Sequence, residues 1–394
     1  MLHKILFVVL FVSSNIRINV ASPEDDFKAG NRLFSARLYK EMNTKPKENF
    51  VFSPYPVQKV LAALASAAKS YSSDTVAEIK NSVNLLQDKV QNEEAFKNVC
   101  EKMKKYNDDD FKLFDATKMY FTQGYSVEQW YRTIAQQVYE AEIETVNFGQ
   151  SAATTQRINS WVSKKTDGKI TNFIKPGDIT SNTQNVLVST FYLAAKWETP
   201  FEKAETMLRN FNTSTEIKKV NMMKNTAGFG YFKDEYAKYL QMGLFKYEGD
   251  AEVVFVLPHD HDGLGKLEAN IERVFQQKTF VSSTVNVVLP KFSISNDVKL
   301  MPILQKLGVK RLFNWGVALE GLKYPGHPFE RISDVYQMTT IDVTESGVSA
   351  AAATESEIIV DKTLDERTFV ADHPFIFYIS IEKVIVFAGR VVDP

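Results

Sequence analysis

Histidine and cysteine, the side chains that most often perform chemistry in proteins, are sparse in this chain, with five histidines and one cysteine among 394 residues. The densest group of potential metal ligands is His259-Asp260-His261-Asp262, because imidazole and carboxylate groups bind transition metals. This group follows the apolar residues 253–257 and precedes Gly263. That pattern is typical of a polar turn between a strand and a helix. We therefore expect a turn here and no metal site.

No arrangement typical of an enzyme is present. The chain contains no G-x-S-x-G elbow, H-E-x-x-H helix, Walker A loop or dinucleotide-binding fingerprint. Carboxylates are too numerous for a catalytic pair to be chosen. The single cysteine, Cys100, excludes an internal disulfide and is predicted to be a buried packing residue in a helix. We expect no catalytic activity.

One segment near the C-terminus, from Glu345 to Lys362, has a regular pattern that catalysis does not explain. Even-numbered positions from Val348 to Val360 carry only small or apolar side chains. The charged residues before Lys362 lie at odd positions: Glu355, Glu357 and Asp361. Because strand side chains alternate between faces, the pattern predicts a strand that can enter a sheet with its even face inward. In an isolated peptide, the four consecutive alanines would instead favour a helix or a mobile linker.

The rest of the sequence supplies elements that would position this segment. Ser53 is placed to cap a helix that begins at Pro54. Further helices are predicted at residues 73–83, 92–106, 158–166, 264–275 and 300–307. Strands are predicted at residues 114–121, 185–194, 239–245, 253–257, 285–292 and 375–386. Helices interrupt the strands without βαβ alternation, so we expect one α+β domain with large, mainly antiparallel sheets.

Composition is that of a globular protein with a large core, since 44% of residues are hydrophobic and 24% are charged. The 47 basic and 48 acidic residues give a net charge of -1. No overall field would therefore attract nucleic acid or an anionic membrane. We expect a monomer with neither of these partners.

The first residues indicate export from the cell. Lys4 precedes an apolar run at residues 5–12 that is too short to span a bilayer, as in a secretory signal peptide. Cleavage after Ser14 or after Ala21 would leave a secreted protein, with a single domain at residues 22–394. Asn212-Thr213-Ser214 is the one N-x-S/T sequon, so Asn212 is predicted to carry a glycan.

The segment from Glu345 to Thr354 resembles the hinge E-x-G-x-x-A-A-A-A-T of the serpins, secreted inhibitors that trap serine proteases. Its hinge positions are Glu345, Gly347, Val348, Ala350, Ala351, Ala352, Ala353 and Thr354. Fragments similar to the family occur in serpin order at residues 49–54, 191–201, 220–223, 254–258, 289–292, 307–308, 371–375 and 389–394. Within residues 191–201, Trp197 resembles the tryptophan of the serpin breach, where the central sheet opens.

The resemblance implies three β-sheets and about nine helices, with an exposed reactive loop from Gly347 to about Arg367. In the family, a protease attacks this loop and forms an acyl-enzyme on its own serine. The cut loop then inserts as a central strand and distorts the protease before deacylation. No catalytic residue belongs to the inhibitor.

The reactive bond has two candidates. Lys362 suits a trypsin-like pocket with an acidic base, so cleavage between Lys362 and Thr363 is predicted. The usual family count from Gly347 instead ends on Asp361, which places the bond between Asp361 and Lys362. A trypsin-like protease in a covalent complex is the expected partner. The alternatives are a non-inhibitory serpin acting as carrier, chaperone or storage protein, or a secreted enzyme.

Three positions depart from the family pattern at the shutter, the cluster beneath the opening of the sheet. Where serpins usually carry serine, asparagine and histidine, this chain has Pro56, Ser189 and Gln337. The usual hydrogen-bonded cluster with Ser53 therefore cannot form in its standard version. The amide of Gln337 supplies both donors and an acceptor, so it can still bond Ser53 or Ser189.

Four lysines correspond to the helix that binds heparin in some serpins: Lys97, Lys102, Lys104 and Lys105. Acidic residues surround them at positions 93, 94, 101 and 108–110. This mixture favours a solvated helix surface over a glycosaminoglycan site. We therefore expect no cofactor.

Overall fold

The computed structural model describes residues 22–244, 251–314, 319–324, 331–349 and 367–394. In this part of the chain no helix combines the length and the apolar character needed to cross a membrane. Within the same ranges the chain forms nine α-helices and three β-sheets, which confirms what the serpin resemblance implies. The three sheets contain seventeen described strands.

The nine helices of the described ranges fall into two groups. Six precede residue 170 and three follow residue 260. In chain order they are α1 (Pro23–Met42), α2 (Pro54–Ala65), α3 (Asp74–Ser82), α4 (Lys89–Met103), α5 (Gln129–Tyr139), α6 (Ser151–Lys165), α7 (Leu264–Ala269), α8 (Ile271–Phe275) and α9 (Met301–Leu307). Short 3-10 turns occur at Lys203–Glu205 and Arg311–Phe313.

All of the described strands except the first follow residue 110. They are β1 (Phe50–Phe52), β2 (Phe111–Thr122), β3 (Ser126–Val127), β4 (Ala141–Val146), β5 (Asn185–Lys196), β6 (Met207–Asn212), β7 (Ile217–Lys233), β8 (Ala237–Gly243), β9 (Ala251–Pro258), β10 (Val281–Pro290), β11 (Phe292–Lys299), β12 (Leu322–Lys323), β13 (Ile332–Thr344), β14 (Gly347–Val348), β15 (Arg367–Val370), β16 (Phe375–Ile381) and β17 (Val384–Val391).

Two of the sheets are large and mainly antiparallel. The nine-stranded sheet has the order β1-β17-β16-β9-β8-β7-β10-β15, with β6 pairing β7, and only β15 runs parallel to its neighbour among these described strands. The six-stranded sheet has the order β11-β13-β14-β5-β2-β4. In it β13 also pairs directly with β5, in the parallel sense. A short two-stranded sheet joins β12 to β3.

Helix α2 lies between the two large sheets. All twelve of its residues are buried, and it packs against β17 of one sheet and β5 of the other. Near its middle the fully buried Lys59 donates to Asp115 of β2 over 2.5 Å, which pairs an otherwise costly buried charge. Cys100 of α4 is also buried, and burial raises the pKa of its thiol to about 11. The thiol is therefore a packing group and a poor nucleophile.

Three predicted elements are divided in the structure. Residues 285–292 span two strands, because β10 ends at Pro290 and β11 begins at Phe292. Residues 375–386 form the hairpin of β16 and β17, whose turn places Glu382 and Lys383 at positive φ. Residues 264–275 break at Asn270 into α7 and α8.

Ser53 occupies the position before α2, but its side chain makes no capping hydrogen bond. Its hydroxyl instead donates to the carbonyl oxygen of Val386 in β17. The predicted capping role is therefore wrong, since a tertiary acceptor has replaced the local one. The hydroxyl thus links the start of α2 to the neighbouring sheet.

Candidate functional site

The first residues of the segment that resembles a serpin reactive loop already lie inside the six-stranded sheet. Gly347 pairs with Thr344 of β13 on one side and with Lys196 of β5 on the other. Val348 pairs in the same way with Val343 and Ala195, and its side chain is 1% exposed. Val348 is thus buried, as the even-face pattern predicts for this position.

Glycine is required at position 347 by a close backbone approach. The residue has φ of 153°, and a Cβ atom here would overlap the carbonyl oxygen of Ala195 and lie 2.7 Å from Cα of Lys196. These neighbours are backbone atoms of β5, which cannot swing away as a side chain would. A larger residue would therefore push β14 out of the sheet or force β5 and β13 apart.

Strand β14 ends at Val348, and the backbone bends at Ser349. This residue has φ of 49°, a left-handed conformation that is uncommon for a residue with a side chain. Its N–H donates to the carbonyl oxygen of Asp342 over 2.5 Å, and its hydroxyl accepts from the Asp342 N–H over 3.3 Å. Ser349 is thus the last described residue before residues 350–366, which lie outside the described ranges.

Glu345 holds the turn that joins β13 to β14. Its carboxylate accepts from Lys291 over 2.8 Å and from the hydroxyl of Thr206 over 2.9 Å, and the residue is 5% exposed. Burial acts to raise the pKa of Glu345, but the hydrogen bond and charge of Lys291 outweigh it and lower the pKa. The carboxylate is therefore ionised at neutral pH and fixes this turn to the residue that joins β10 to β11 and to the loop before β6.

Trp197 clamps the same turn from the end of β5. Its indole N–H donates to the carbonyl oxygen of Thr344 over 2.9 Å, and its backbone N–H donates to that of Ser346 over 3.0 Å. The ring is 1% exposed and packs beside Phe201 and Phe255. Because both bonds end on backbone carbonyls, Trp197 fixes the path of the chain whatever side chains the turn carries.

The shutter is rebuilt around Gln337. Its amide group donates to the carbonyl oxygen of Ser53 over 2.7 Å, and its amide oxygen accepts from the Ser53 N–H over 3.1 Å. Ser189 lies beside Gln337 in the register of β5 and β13, yet among the described residues its buried hydroxyl has no hydrogen-bond partner. Pro56 is buried in the first turn of α2. Of the two partners that the sequence left open, Gln337 thus bonds Ser53.

The four lysines of the candidate glycosaminoglycan site lie in the second half of α4 and just after it. Three of them face carboxylates: Lys97 with Glu101 at 4.0 Å, Lys102 with Glu24 at 2.6 Å and Lys104 with Glu140 at 2.6 Å. Carboxylates this close oppose an added polyanion, because like charges would meet. This arrangement is the mixed, ion-paired surface that the sequence favours.

The remaining predicted site residues are spread over different parts of the chain. Asn212, the predicted glycan acceptor, ends β6 half-buried, and its side-chain amide donates to the carbonyl oxygen of Asp372 over 3.1 Å. Ala350, Ala351, Ala352, Ala353 and Thr354 lie outside the described residues, as do both candidate reactive bonds at 361–363.

Sequence reasoning missed two residues that hold the hinge, Thr206 and Lys291. Both approach Glu345 from elements distant in sequence. Lys291 lies within residues 289–292, which resemble a serpin fragment, but that pattern does not indicate an ion pair with position 345. Thr206 carries no sequence signal of its own.

Comparisons with known proteins identify the family to which this chain belongs. The family described as Serpin (serine protease inhibitor) matches residues 29–394. Alaserpin of Manduca sexta is 28% identical, over 93% of this chain and 94% of that protein. The chain therefore belongs to the serpins, a family of protease inhibitors rather than enzymes.

Solved serpin structures superpose on nearly the whole chain. Serpin48 of the insect Tenebrio molitor, described as highly specific, gives a TM-score of 0.85 at 33% identity over 94% of this chain and 98% of its own. Human thyroxine-binding globulin gives a TM-score of 0.83 at 24% identity over 95% and 100%. The second likeness shows the fold alone.

We predict that the hydrogen bonds of Gln337 stabilise the folded protein and that the hydroxyl of Ser189 does not. Gln337→Met keeps the side-chain length but leaves the N–H and carbonyl of Ser53 unpaired in a buried site. We expect the free energy of unfolding to fall by about 2–4 kcal/mol. Urea unfolding followed by circular dichroism measures this change.

Ser189→Ala is the matched control for Gln337→Met, because it removes a buried hydroxyl that has no described partner. We expect its free energy of unfolding to equal or slightly exceed that of the unaltered protein. Equal losses in the two variants would contradict the assignment.

Proposed function

We propose that this serpin is a secreted inhibitor that traps a trypsin-like serine protease. The protease would cut the loop after Lys362 and remain bound as an acyl-enzyme on its own serine. The loop residues that follow Val348, which already lies between β13 and β5, would then enter the six-stranded sheet. Transport of the bound protease across the molecule would distort its active site before water could release it.

One observation carries this proposal, the position of β14 between two strands that are parallel to each other. β13 and β5 pair directly from Ile332 to Met338, so no strand separates them there. β14 runs antiparallel to both strands at their other end. A loop that continued in the same direction would convert one parallel pairing into two antiparallel ones, and antiparallel pairing is the more stable per residue.

The register of β14 defines how much of the loop the sheet can accept. β14 pairs antiparallel with β13, so each further loop residue would pair with the β13 residue one position earlier. Ile332, the first residue of β13, would then face Ile359. Along β5 the same count brings Asn185 opposite Ile358. β13 and β5 could therefore pair with the loop up to nearly the same residue, Ile359 or Ile358. The alternating pattern of the sequence ends close by, at Val360.

Insertion over this length would release enough free energy to act on a protease. About ten additional ladder hydrogen bonds at about 1 kcal/mol net each would form. Burial of the apolar even-numbered side chains would add to this. The sum rivals the roughly 5–15 kcal/mol stability of an ordinary domain, so the uncut protein would be metastable.

A non-inhibitory carrier, chaperone or storage role is the alternative. The likeness to thyroxine-binding globulin, a binding protein by its name, illustrates that the fold itself permits such a role. A charge or proline at an even hinge position would favour it, because either would hinder insertion. This chain has neither at the even positions from 348 to 360, which supports the inhibitor.

We predict that Lys362 is the residue recognised by the protease. Lys362→Ala should reduce the rate of trypsin trapping by at least about a hundredfold, because the acidic base of the specificity pocket would be left unpaired at a cost of about 3 kcal/mol. Lys362→Arg should retain trapping. Complexes that survive boiling in detergent, resolved by electrophoresis, give the rate.

The mass of the C-terminal fragment released by the protease that the protein traps decides between the two candidate bonds. Cleavage after Lys362 releases residues 363–394, and cleavage after Asp361 releases residues 362–394. Unchanged trapping by Lys362→Ala would contradict the first assignment.

We predict that Val348→Arg converts the inhibitor into a substrate. Val348 lies fully buried between β13 and β5, and an unpaired charge there would cost several kcal/mol. Insertion should become slower than deacylation, so trypsin would cut the loop at the same bond and leave active. The number of inhibitor molecules consumed per protease trapped measures this partition.

Ser349→Arg is the matched control for Val348→Arg, because an odd position faces outward on an inserted strand. We expect Ser349→Arg to remain an inhibitor. Wild-type stoichiometry for Val348→Arg would show that insertion does not begin at this residue.

We predict that cleavage within the loop raises the melting temperature. The freed strand can complete the six-stranded sheet, so the cleaved form gains the hydrogen bonds and burial described above. Melting curves of intact and loop-cleaved protein at one concentration and pH make the comparison. Equal melting temperatures would favour the non-inhibitory alternative, in which the loop is cut but never inserts.

A further inference from the structure

Three potential metal ligands meet at the end of the strand that follows the loop. Asp372 and His373 lie between β15 and β16, and His261 lies in the turn between β9 and α7. One ligand atom from each lies within 4.8 Å of the other two. The rings of His261 and His373 are 4.5 Å apart between centroids. The cluster therefore combines two imidazoles and one carboxylate.

The hydrogen bonds of His373 leave one ring nitrogen facing the carboxylate. Its Nε2 lies 3.1 Å from the carbonyl oxygen of Pro258, which can only accept, so Nε2 carries the proton. Its Nδ1 lies 2.8 Å from a carboxylate oxygen of Asp372. Two lone pairs cannot face each other at this distance, so either a second proton or a cation must lie beside Nδ1.

We propose that His261, Asp372 and His373 bind a Zn²⁺ ion, with Nδ1 of His373 as one ligand. The bond from Nε2 to Pro258 is the contact that commonly orients a zinc-bound histidine, a second ring nitrogen donating to a backbone carbonyl. His373 is 5% exposed, so its ring is held in this orientation by packing as well. Solvent would complete the coordination, as in zinc sites with three protein ligands.

The distances require only a small adjustment on the exposed side of the cluster. Zinc bonds of about 2.0–2.2 Å place the ligand atoms about 3.3 Å apart. Nδ1 of His373 and the Asp372 carboxylate already lie within this spacing. His261 is exposed on a turn, and its ring would have to approach by about 1–1.5 Å.

The segment that carries the Asp372 carboxylate is fixed by a further contact. The backbone carbonyl of Asp372 accepts a hydrogen bond from the side-chain amide of Asn212 over 3.1 Å. The carboxylate is thus offered from a segment whose main chain is held in place, and carboxylate oxygens are among the ligands that zinc binds.

The turn predicted at residues 259–262 does form, and it sends only one of its four polar side chains into the cluster. His259 contacts the carbonyl oxygen of Asp234 at 2.8 Å, and Asp260 pairs with Lys266 at 3.2 Å. His261 alone belongs to the three-residue group. The site therefore lacks a local sequence motif, because its other two ligands come from a distant segment.

A bound ion would tie the turn after β9 to the segment after β15. Among the described strands β15 pairs with β10 alone, at the edge of the nine-stranded sheet. Its far end is held by the bond from the Ala371 N–H to Val288. The ion would add a second attachment at this point and stabilise the strand onto which the loop returns.

Isothermal titration calorimetry with Zn²⁺ tests the site on the mature protein purified without a histidine tag. We expect one ion per molecule. His261→Ala and Asp372→Asn should each weaken the affinity about tenfold or more, since each removes a ligand. Ca²⁺ should not compete, because it prefers oxygen ligands.

His259→Ala is the matched control, because it removes the other exposed imidazole of the same turn. We expect it to retain the affinity of the unaltered protein. The proposal is overturned if the unaltered protein binds no Zn²⁺, if His261→Ala binds as tightly as it, or if His259→Ala loses as much affinity as His261→Ala. The titration needs no protease, so its outcome is independent of inhibition.

Discussion

β13 and β5 run parallel and pair directly over half their length, but at their other end two residues of β14 separate them. This separation depends on the absence of a side chain at Gly347, where backbone atoms of β5 occupy the space of a Cβ. The opening of the sheet and the burial of Val348 both follow from it. β14 thus already pairs with β13 and β5 at one end of the six-stranded sheet, while at the other end β13 and β5 still pair with each other.

The contacts that hold this opening bind the main chain more than side chains. Trp197 donates to two backbone carbonyls of the turn, and Gln337 bonds both backbone groups of Ser53. Such contacts depend on the path of the backbone and on one suitable polar group. This explains how glutamine can stand where the family usually has histidine, although the neighbouring Ser189 is left without a described partner. Glu345 is the exception, since it relies on an ion pair.

The sequence alone predicted the fold class and the burial of Val348. The hinge and the other fragments in serpin order predicted the fold, and the alternation of small or apolar with charged side chains predicted that Val348 faces inward. The prediction from the sequence failed where one β-rich run is divided between two sheets, as at Lys291 between β10 and β11, since β propensity does not mark a break of one residue. It also assigned Ser53 a local cap that a tertiary acceptor displaced. Contacts such as Lys291 with Glu345 join distant segments, and no local pattern records them.

The segment 350–366 connects β14, in the six-stranded sheet, to β15, in the nine-stranded sheet. Its two ends are thus fastened to different sheets. Hydrolysis of any one bond in it would remove the covalent link from β14 to β15 permanently, since water is not removed again to restore the chain. Under the proposed mechanism each molecule acts once and is consumed. Its capacity is then set by the number of molecules supplied, as for a chemical titrant, and not by an equilibrium affinity.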